Sequence, residues 1–361
     1  MTQSIQMNEK EQVTSIVFGD TFALYDEKSF DEFIAPLYVR LKNNGISKDV
    51  FKGKRCLDAG CGGGRGSILM AQCGAKEVIG VDFSSTNIES CRKRAQQKGF
   101  TNLHFYQHSL TDLPFENESF DFVWCNGVLM HTIDPDKCLK EISRVLKSGG
   151  NMWLYVYGSG GIYWYMVDWV RKTLQDIDVK DCICQLRIME MPIRRIAEWI
   201  DDWFAGYLRR YTNEDVENRL KELGFVNTDR LKFGTLYDTS QRRQGAGSDE
   251  MYLMGEGDLR YFCQKTRSSI GNKFLLPDGK GSLYTDSDLV TQFAAPLEQL
   301  SKNLARLEKK RGHEISTYKI MVCRSVHSKV RSLLETEGPF DMNALYNHLH
   351  NLNSLVEENV S

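Results

Sequence analysis

The chain predicts an α/β fold, a mostly parallel sheet with helices on both faces, together with a helical aromatic insert and a C-terminal helical appendage. Three observations carry that prediction. Between Arg55 and Lys147 short apolar runs alternate with helical patterns, as in a parallel sheet covered on both faces. The first run feeds a glycine-rich turn, Gly60-Cys61-Gly62-Gly63-Gly64, that opens into a helix. Beyond Lys265 the strand signal ends, and apolar residues recur only at three- and four-residue spacing.

Strands are expected at Arg55–Leu57, Glu77–Val81, Leu103–Gln107, Phe120–Cys125 and Asn151–Tyr157, with helices near Ser67–Cys73, Ser85–Lys98 and Pro135–Leu146. The last helix opens at Asp134-Pro135, a cap followed by proline in the first turn, and its expected stop is Ser148-Gly149-Gly150. Residues 162 to 210 read as helical and dense in aromatics, among them Tyr163, Trp164, Tyr165, Trp169, Trp199, Trp203, Phe204 and Tyr207. Thr212-Asn213-Glu214-Asp215 resembles a capping box that opens a helix running to Leu223. Val226–Phe233 and Leu259–Gln264 read as two closing strands, with the Gly/Ser-rich stretch Gly245–Gly257 as a long loop between them. Val290, Phe293, Leu297, Leu300, Leu304 and Leu307 form one amphipathic stripe, and Leu345, Leu349, Leu352 and Val356 repeat it after Gly338-Pro339.

At 361 residues the chain is long for one domain, and 41% hydrophobic content builds a sizeable core. The expected organisation is a cofactor domain of residues 1–157 and 211–267, an insert or lid of 158–210, and an appendage of 268–361. Lys and Arg total 46 against 48 Asp and Glu, a formal charge of −2, and the basic clusters are short and flanked by acids. That balance argues against a nucleic-acid partner. The N-terminus is polar, without the apolar run of a signal peptide, and no stretch approaches the ~20 apolar residues of a membrane span. Ten cysteines then read as reduced thiols of a cytoplasmic protein. Cys182 and Cys184 form a C-x-C pair with no second pair at zinc spacing, so no metal site is expected.

The glycine turn alone also fits a dinucleotide site. Asp58, two positions before Gly60, separates the readings, because a pyrophosphate at this turn would repel a carboxylate whereas an ammonium group would welcome one. Val78-Ile79-Gly80-Val81-Asp82 then places an acid ~20 residues past the glycines, where it would bond a ribose hydroxyl pair.

These motifs resemble, over residues about 50–265, the class I S-adenosylmethionine (SAM)-dependent methyltransferases, in particular the ubiquinone and menaquinone methyltransferase group. Leu113-Pro114-Phe115, Phe120-Asp121-Phe122-Val123, His131 through Asp134-Pro135, and Glu141 through Gly150 extend the likeness. The resemblance implies a Rossmann-like seven-stranded sheet with an antiparallel ending and SAM as cofactor. It implies that Asp58, Gly60 and Gly62 hold the methionine portion, Asp82 the ribose, and Phe83 the adenine face. Where the family usually carries an acid for the adenine amino group this chain has Ser109, so Ser109 or the Leu110 backbone takes that place, and Asn126 lines the pocket near the sulfonium. His131 is the candidate general base, its other reading being a loop histidine that bonds backbone or packs on the cofactor, and a small-molecule metabolite or biosynthetic intermediate is the expected acceptor. Two other readings stand beside it: an RNA or protein methyltransferase docking through the C-terminal helices, and a non-catalytic scaffold of the same fold. A homodimer through the lid or the C-terminal helices would bury the apolar stripe.

Overall fold

The computed structural model describes residues 7–234, 254–266, 276, 288–312, 315–335 and 341–360. Seven strands form one sheet: β1 (Arg55–Ala59), β2 (Glu77–Asp82), β3 (Leu103–Gln107), β4 (Phe120–Asn126), β5 (Leu146–Tyr157), β6 (Phe225–Val226) and β7 (Asp258–Lys265). Their order is β3-β2-β1-β4-β5-β7-β6. The first five pair parallel, and β7 runs antiparallel to both β5 and β6. Chain order reverses at β1, which puts the ligand crevice of an open α/β sheet beyond the carboxyl ends of β1 and β4. The Rossmann-like sheet and its antiparallel ending are as expected.

The helices before the insert are α1 (Glu9–Ala23), α2 (Glu27–Asn43), α3 (Arg65–Gln72), α4 (Ser85–Gln97) and α5 (Pro135–Val145). Then follow α6 (Gly161–Thr173), α7 (Val179–Ile188), α8 (Ile193–Phe204) and α9 (Asn213–Glu222). The last three are α10 (Asp288–Arg311), α11 (Ile315–Glu335) and α12 (Met342–Val360). Local chemistry sets several starts. Asp134 caps α5 through the Lys137 N–H with Pro135 next, and Thr212 with Asp215 forms the capping box of α9. α1, which no motif announces, opens on a capping box of Asn8 and Glu11.

Two compact units separate among the described residues. One lies within Met1–Gly158, Ala205–Arg242 and Asp258–Gly281, the other within Ser159–Phe204, Arg243–Gly257 and Ser282–Ser361. In the first unit, alternation along β5 sorts its side chains by face. Met152, Leu154 and Val156 join an aliphatic core with Leu57, Val123 and Leu259. Trp153 lies opposite and stacks on Trp124, ring centroids 4.9 Å apart and planes 6° from parallel.

In the second unit the aromatic helices find their partners among the C-terminal ones. The Trp169 indole donates to Leu297 O (3.0 Å) and Ser301 Oγ (2.8 Å), and the Trp203 indole donates to His327 Nδ1 (3.0 Å). Phe293, Leu297, Leu300, Leu304 and Leu307 are all buried, so the α10 stripe is covered within the chain. Most of the residues expected as an insert and as an appendage thus share one unit, whereas 205–210 and 268–281 fall within the unit that holds the sheet.

Three details differ from expectation. α5 ends at Val145, and Ser148-Gly149-Gly150 falls inside β5. There the register against β4 shifts between Phe120 and Phe122, with Gly149 at φ +79°, so the glycines build an irregularity in the strand. The helix end is held instead by Lys265, whose buried ammonium donates to Ser143 O (2.7 Å) and Leu146 O (2.8 Å). β6 is two residues rather than Val226–Phe233, because Asn227 turns to φ +55° and the chain rejoins β7 only at the Arg230–Tyr261 bridge. Residues 245–253 of the long loop, and the Gly338-Pro339 break, lie outside the described residues.

Candidate active site

The crevice is built first from backbone. Gly60 and Cys61 N–H both donate to Val81 O, at 2.8 and 2.9 Å, which staples the glycine turn to the end of β2. Gly60 stands at φ +76° and Gly62 at φ +49°, conformations that favour glycine. A Cβ on Gly60 would lie 2.4 Å from Val128 Cγ1, and one on Gly62 would lie 2.6 Å from Phe22 Cε2. The β4 loop and α1 therefore close on the turn from two sides.

Asp82 is buried at the tip of β2 and accepts from Gly62 N–H (2.8 Å), Ser84 N–H (2.9 Å) and Asn87 Nδ2 (3.4 Å). A carboxylate offers about four lone-pair sites, so room remains for a further donor. Burial raises the Asp82 carboxyl against the pull of those N–H bonds. Asp58 accepts from Ser67 Oγ at 2.6 Å, and its Oδ2 lies 2.9 Å from where a Cβ on Gly66 would sit. Burial pushes its carboxyl up to about 7, against the lowering effect of the Ser67 bonds and with a smaller push from Asp82. Both acids are buried, and a cationic ligand beside them would favour their ionised forms against the effect of burial. Cys61 is buried beside Cys91, and burial holds its thiol well above the ordinary value, against any nucleophilic use.

Phe83 follows Asp82 and is partly exposed, with its carbonyl accepting from Gln107 Nε2 (2.9 Å). Ser109 Oγ is engaged locally, accepting from Thr111 N–H (3.2 Å) and sharing a bond with Thr111 Oγ1 (2.9 Å), and the Leu110 side chain is buried in the core. Asn126 ends β4, and its Oδ1 accepts from Trp153 Nε1 at 2.9 Å. An indole N–H only donates, so the amide is oriented with Nδ2 on the side away from Trp153.

His131 lies in the turn after β4 and is 5% exposed. Its Nδ1 bonds Tyr207 O at 2.8 Å. A carbonyl only accepts, so the neutral ring carries its proton on Nδ1 and its lone pair on Nε2. The rings of Phe18 (4.9 Å, 61°) and Tyr157 (5.6 Å, 87°) meet the imidazole edge-on. Tyr155 packs beside Tyr157 at 5.7 Å, and its phenol donates to Asp258 Oδ1 (2.8 Å).

Asp58, Gly60, Gly62 and Asp82 thus meet around one turn, with His131 adjoining it through the Val128 loop. Phe18, Phe22, Tyr155, Tyr157 and Tyr207 complete the surroundings without a motif of their own. The one-turn spacing of Phe18 and Phe22, and the alternation of Tyr155 and Tyr157, are the signals that mark each pair as sharing a face. Among the described residues no group of three or more His, Cys, Asp or Glu is placed to hold a metal, and no helix is long and apolar enough to cross a membrane.

A reversing parallel sheet, a glycine turn after β1 and an acid ending β2 define a nucleotide-cofactor α/β protein. A methyltransferase-domain family model matches residues 51–162. The ubiquinone biosynthesis O-methyltransferase of Chelativorans sp. (strain BNC1) is 36% identical over 199 residues, covering 55% of this chain and 68% of that protein. The demethylmenaquinone methyltransferase of Clavibacter sepedonicus is 39% identical over 100 residues, 28% of this chain and 40% of that protein. Among solved structures, the YcgJ protein of Bacillus subtilis aligns with TM-score 0.42 at 18% identity, over 63% of this chain and 99% of that one. Three of the relatives are spanned over 39%, 49% and 40% of their length, half or less. The chain belongs to the class I SAM-dependent methyltransferases.

Proposed function

We propose that this chain methylates a hydroxyl of a small-molecule acceptor, with His131 as general base. SAM supplies an electrophilic methyl group on a sulfonium. The residues present fit that cofactor. Asp58 and Asp82 are buried acids whose ionised forms a cationic ligand beside them would favour, and the turn at Gly60 and Gly62 admits close backbone contact. In this reading Asp82 accepts the ribose hydroxyls, Phe83 packs on the adenine, Ser109 and Leu110 border its amino edge, and Asn126 borders the reacting end. The observation that carries the proposal is the 2.8 Å bond from His131 Nδ1 to Tyr207 O, because a ring that donates from Nδ1 has its basic lone pair on Nε2, the atom that would accept the hydroxyl proton. Phe18 and Tyr157 wall the imidazole and keep water from it. The name of one relative, a ubiquinone biosynthesis O-methyltransferase, supports a hydroxyl acceptor of the kind met in quinone biosynthesis.

The test is a panel of such hydroxyl compounds with methyl-labelled SAM, read by mass spectrometry. In His131→Gln, kcat is expected to fall by about 10²–10⁴ with SAM affinity unchanged. Full turnover in the folded variant would remove His131 from the chemistry.

A further inference from the structure

Segment 205–211 wraps the turn that carries His131. Besides the Tyr207 carbonyl, the Arg209 N–H donates to Met130 O (3.1 Å), and the Arg209 guanidinium donates to Thr132 O and to Ile133 O (3.1 Å). Tyr211 N–H donates to Tyr157 O (2.9 Å). What holds this segment from the other side is α1. Gly206 N–H donates to Thr14 Oγ1 (3.1 Å), and the same hydroxyl donates to Lys10 O (2.8 Å). Asn8 Nδ2 reaches the Tyr207 phenol (3.2 Å), and the Lys10 ammonium and Arg209 guanidinium lie over the Tyr207 ring at 5.5 and 4.7 Å. The fit is close: a Cβ on Gly206 would lie 2.2 Å from Lys10 O. Thr14 itself is 1% exposed, so its hydroxyl serves these two backbone groups away from solvent.

From this geometry we infer that Thr14 is a positioning residue for the general base, an inference that rests on the role proposed for His131. Thr14 fixes the Gly206 amide, the amide fixes the Tyr207 carbonyl one residue on, and that carbonyl selects the Nδ1–H form of His131. A carbonyl that drifts loses the preference, and the ring then takes either neutral form, one of which has no lone pair on Nε2. α1 is thereby part of the catalytic apparatus although Thr14 touches neither the imidazole nor the reacting atoms. Serine keeps the hydroxyl. Alanine, the best helix former, removes it without threatening α1.

The experiment is nitrogen NMR of the full chain labelled with 15N-histidine at neutral pH with SAM present, the His131 signal being assigned by its loss in His131→Gln. Wild type and Thr14→Ser are expected to show Nδ1 protonated and Nε2 bare. Thr14→Ala is expected to show a mixture of the two neutral forms, with kcat lowered in proportion to the Nδ1–H fraction lost, about 2- to 10-fold, and SAM affinity unchanged. A folded Thr14→Ala protein that keeps the single Nδ1–H form overturns the inference, as does a wild type protonated on Nε2. The two readings separate cleanly. An unchanged form in Thr14→Ala with loss of turnover in His131→Gln leaves the base role and removes the link to α1. Mixing in Thr14→Ala with full turnover in His131→Gln keeps the link and removes the base role.

Discussion

At the scale of single residues, the two buried acids set how the cofactor pocket answers substitution and pH. Asp82 clamps the turn through Gly62 and is assigned the ribose, so Asp82→Ala removes charge-assisted bonds worth roughly 1.5–3 kcal/mol. SAM affinity is expected to fall about 10- to 150-fold, as measured by calorimetry. Asp58 answers to pH instead. Its folded-state value of about 7 stands above the ordinary carboxylate range, so its contribution to the ligand-free protein is fully present below that range and is lost as pH rises through about 7. The group then removes up to about 1.4 kcal/mol of stability per pH unit across that window. Thermal melts of the ligand-free protein from pH 5 to 8 are expected to show the decline, and Asp58→Asn to flatten it. Melts of the two proteins that run parallel would mean the Asp58 carboxyl ionises in its ordinary range.

Among the elements, α5 shows how a boundary is decided outside its own segment. The glycines after it look like a stop signal, yet they shape the entry to β5, while the last carbonyls of the helix take a buried ammonium from β7. Lys265→Met keeps the bulk of the side chain and removes both bonds. A loss of about 1.5–3 kcal/mol is expected in urea unfolding, the range for hydrogen bonds to a charged group. No change in the midpoint would mean water replaces the ammonium. α5 and α9 behave differently at their starts, where Asp134 and Thr212 cap their own helices and were legible from a few adjacent residues.

For the molecule as a whole, the division of labour follows its two units. Every cofactor residue assigned here lies in the unit that holds the sheet, whereas Trp169, Trp203 and Phe293 find partners within the helical unit. A chain cut before Ser282 loses the groups that accept from both indoles. It is expected to open residues 159–204 to limited proteolysis while SAM affinity by calorimetry stays within a few-fold of the full chain. Protection of 159–204 in the shortened chain would show that α6 to α8 pack without α10 to α12.

The sequence by itself determined the place of every strand but the short β6, the glycine turn, two helix caps, the two acids and the aromatic helices. Each is a local demand: a φ angle that favours glycine, a donor that needs a cap, an alternation or a helical spacing that needs a buried face. Fold class and family were legible for the same reason. Only the tertiary structure decided that Phe22 covers Gly62, that Lys265 ends α5, and that Tyr207, 76 residues from His131, selects the form of its imidazole. Such contacts leave no periodic trace, because a backbone carbonyl carries no residue identity and a hydrogen bond between distant segments exists only once the sheet and α1 have brought them together.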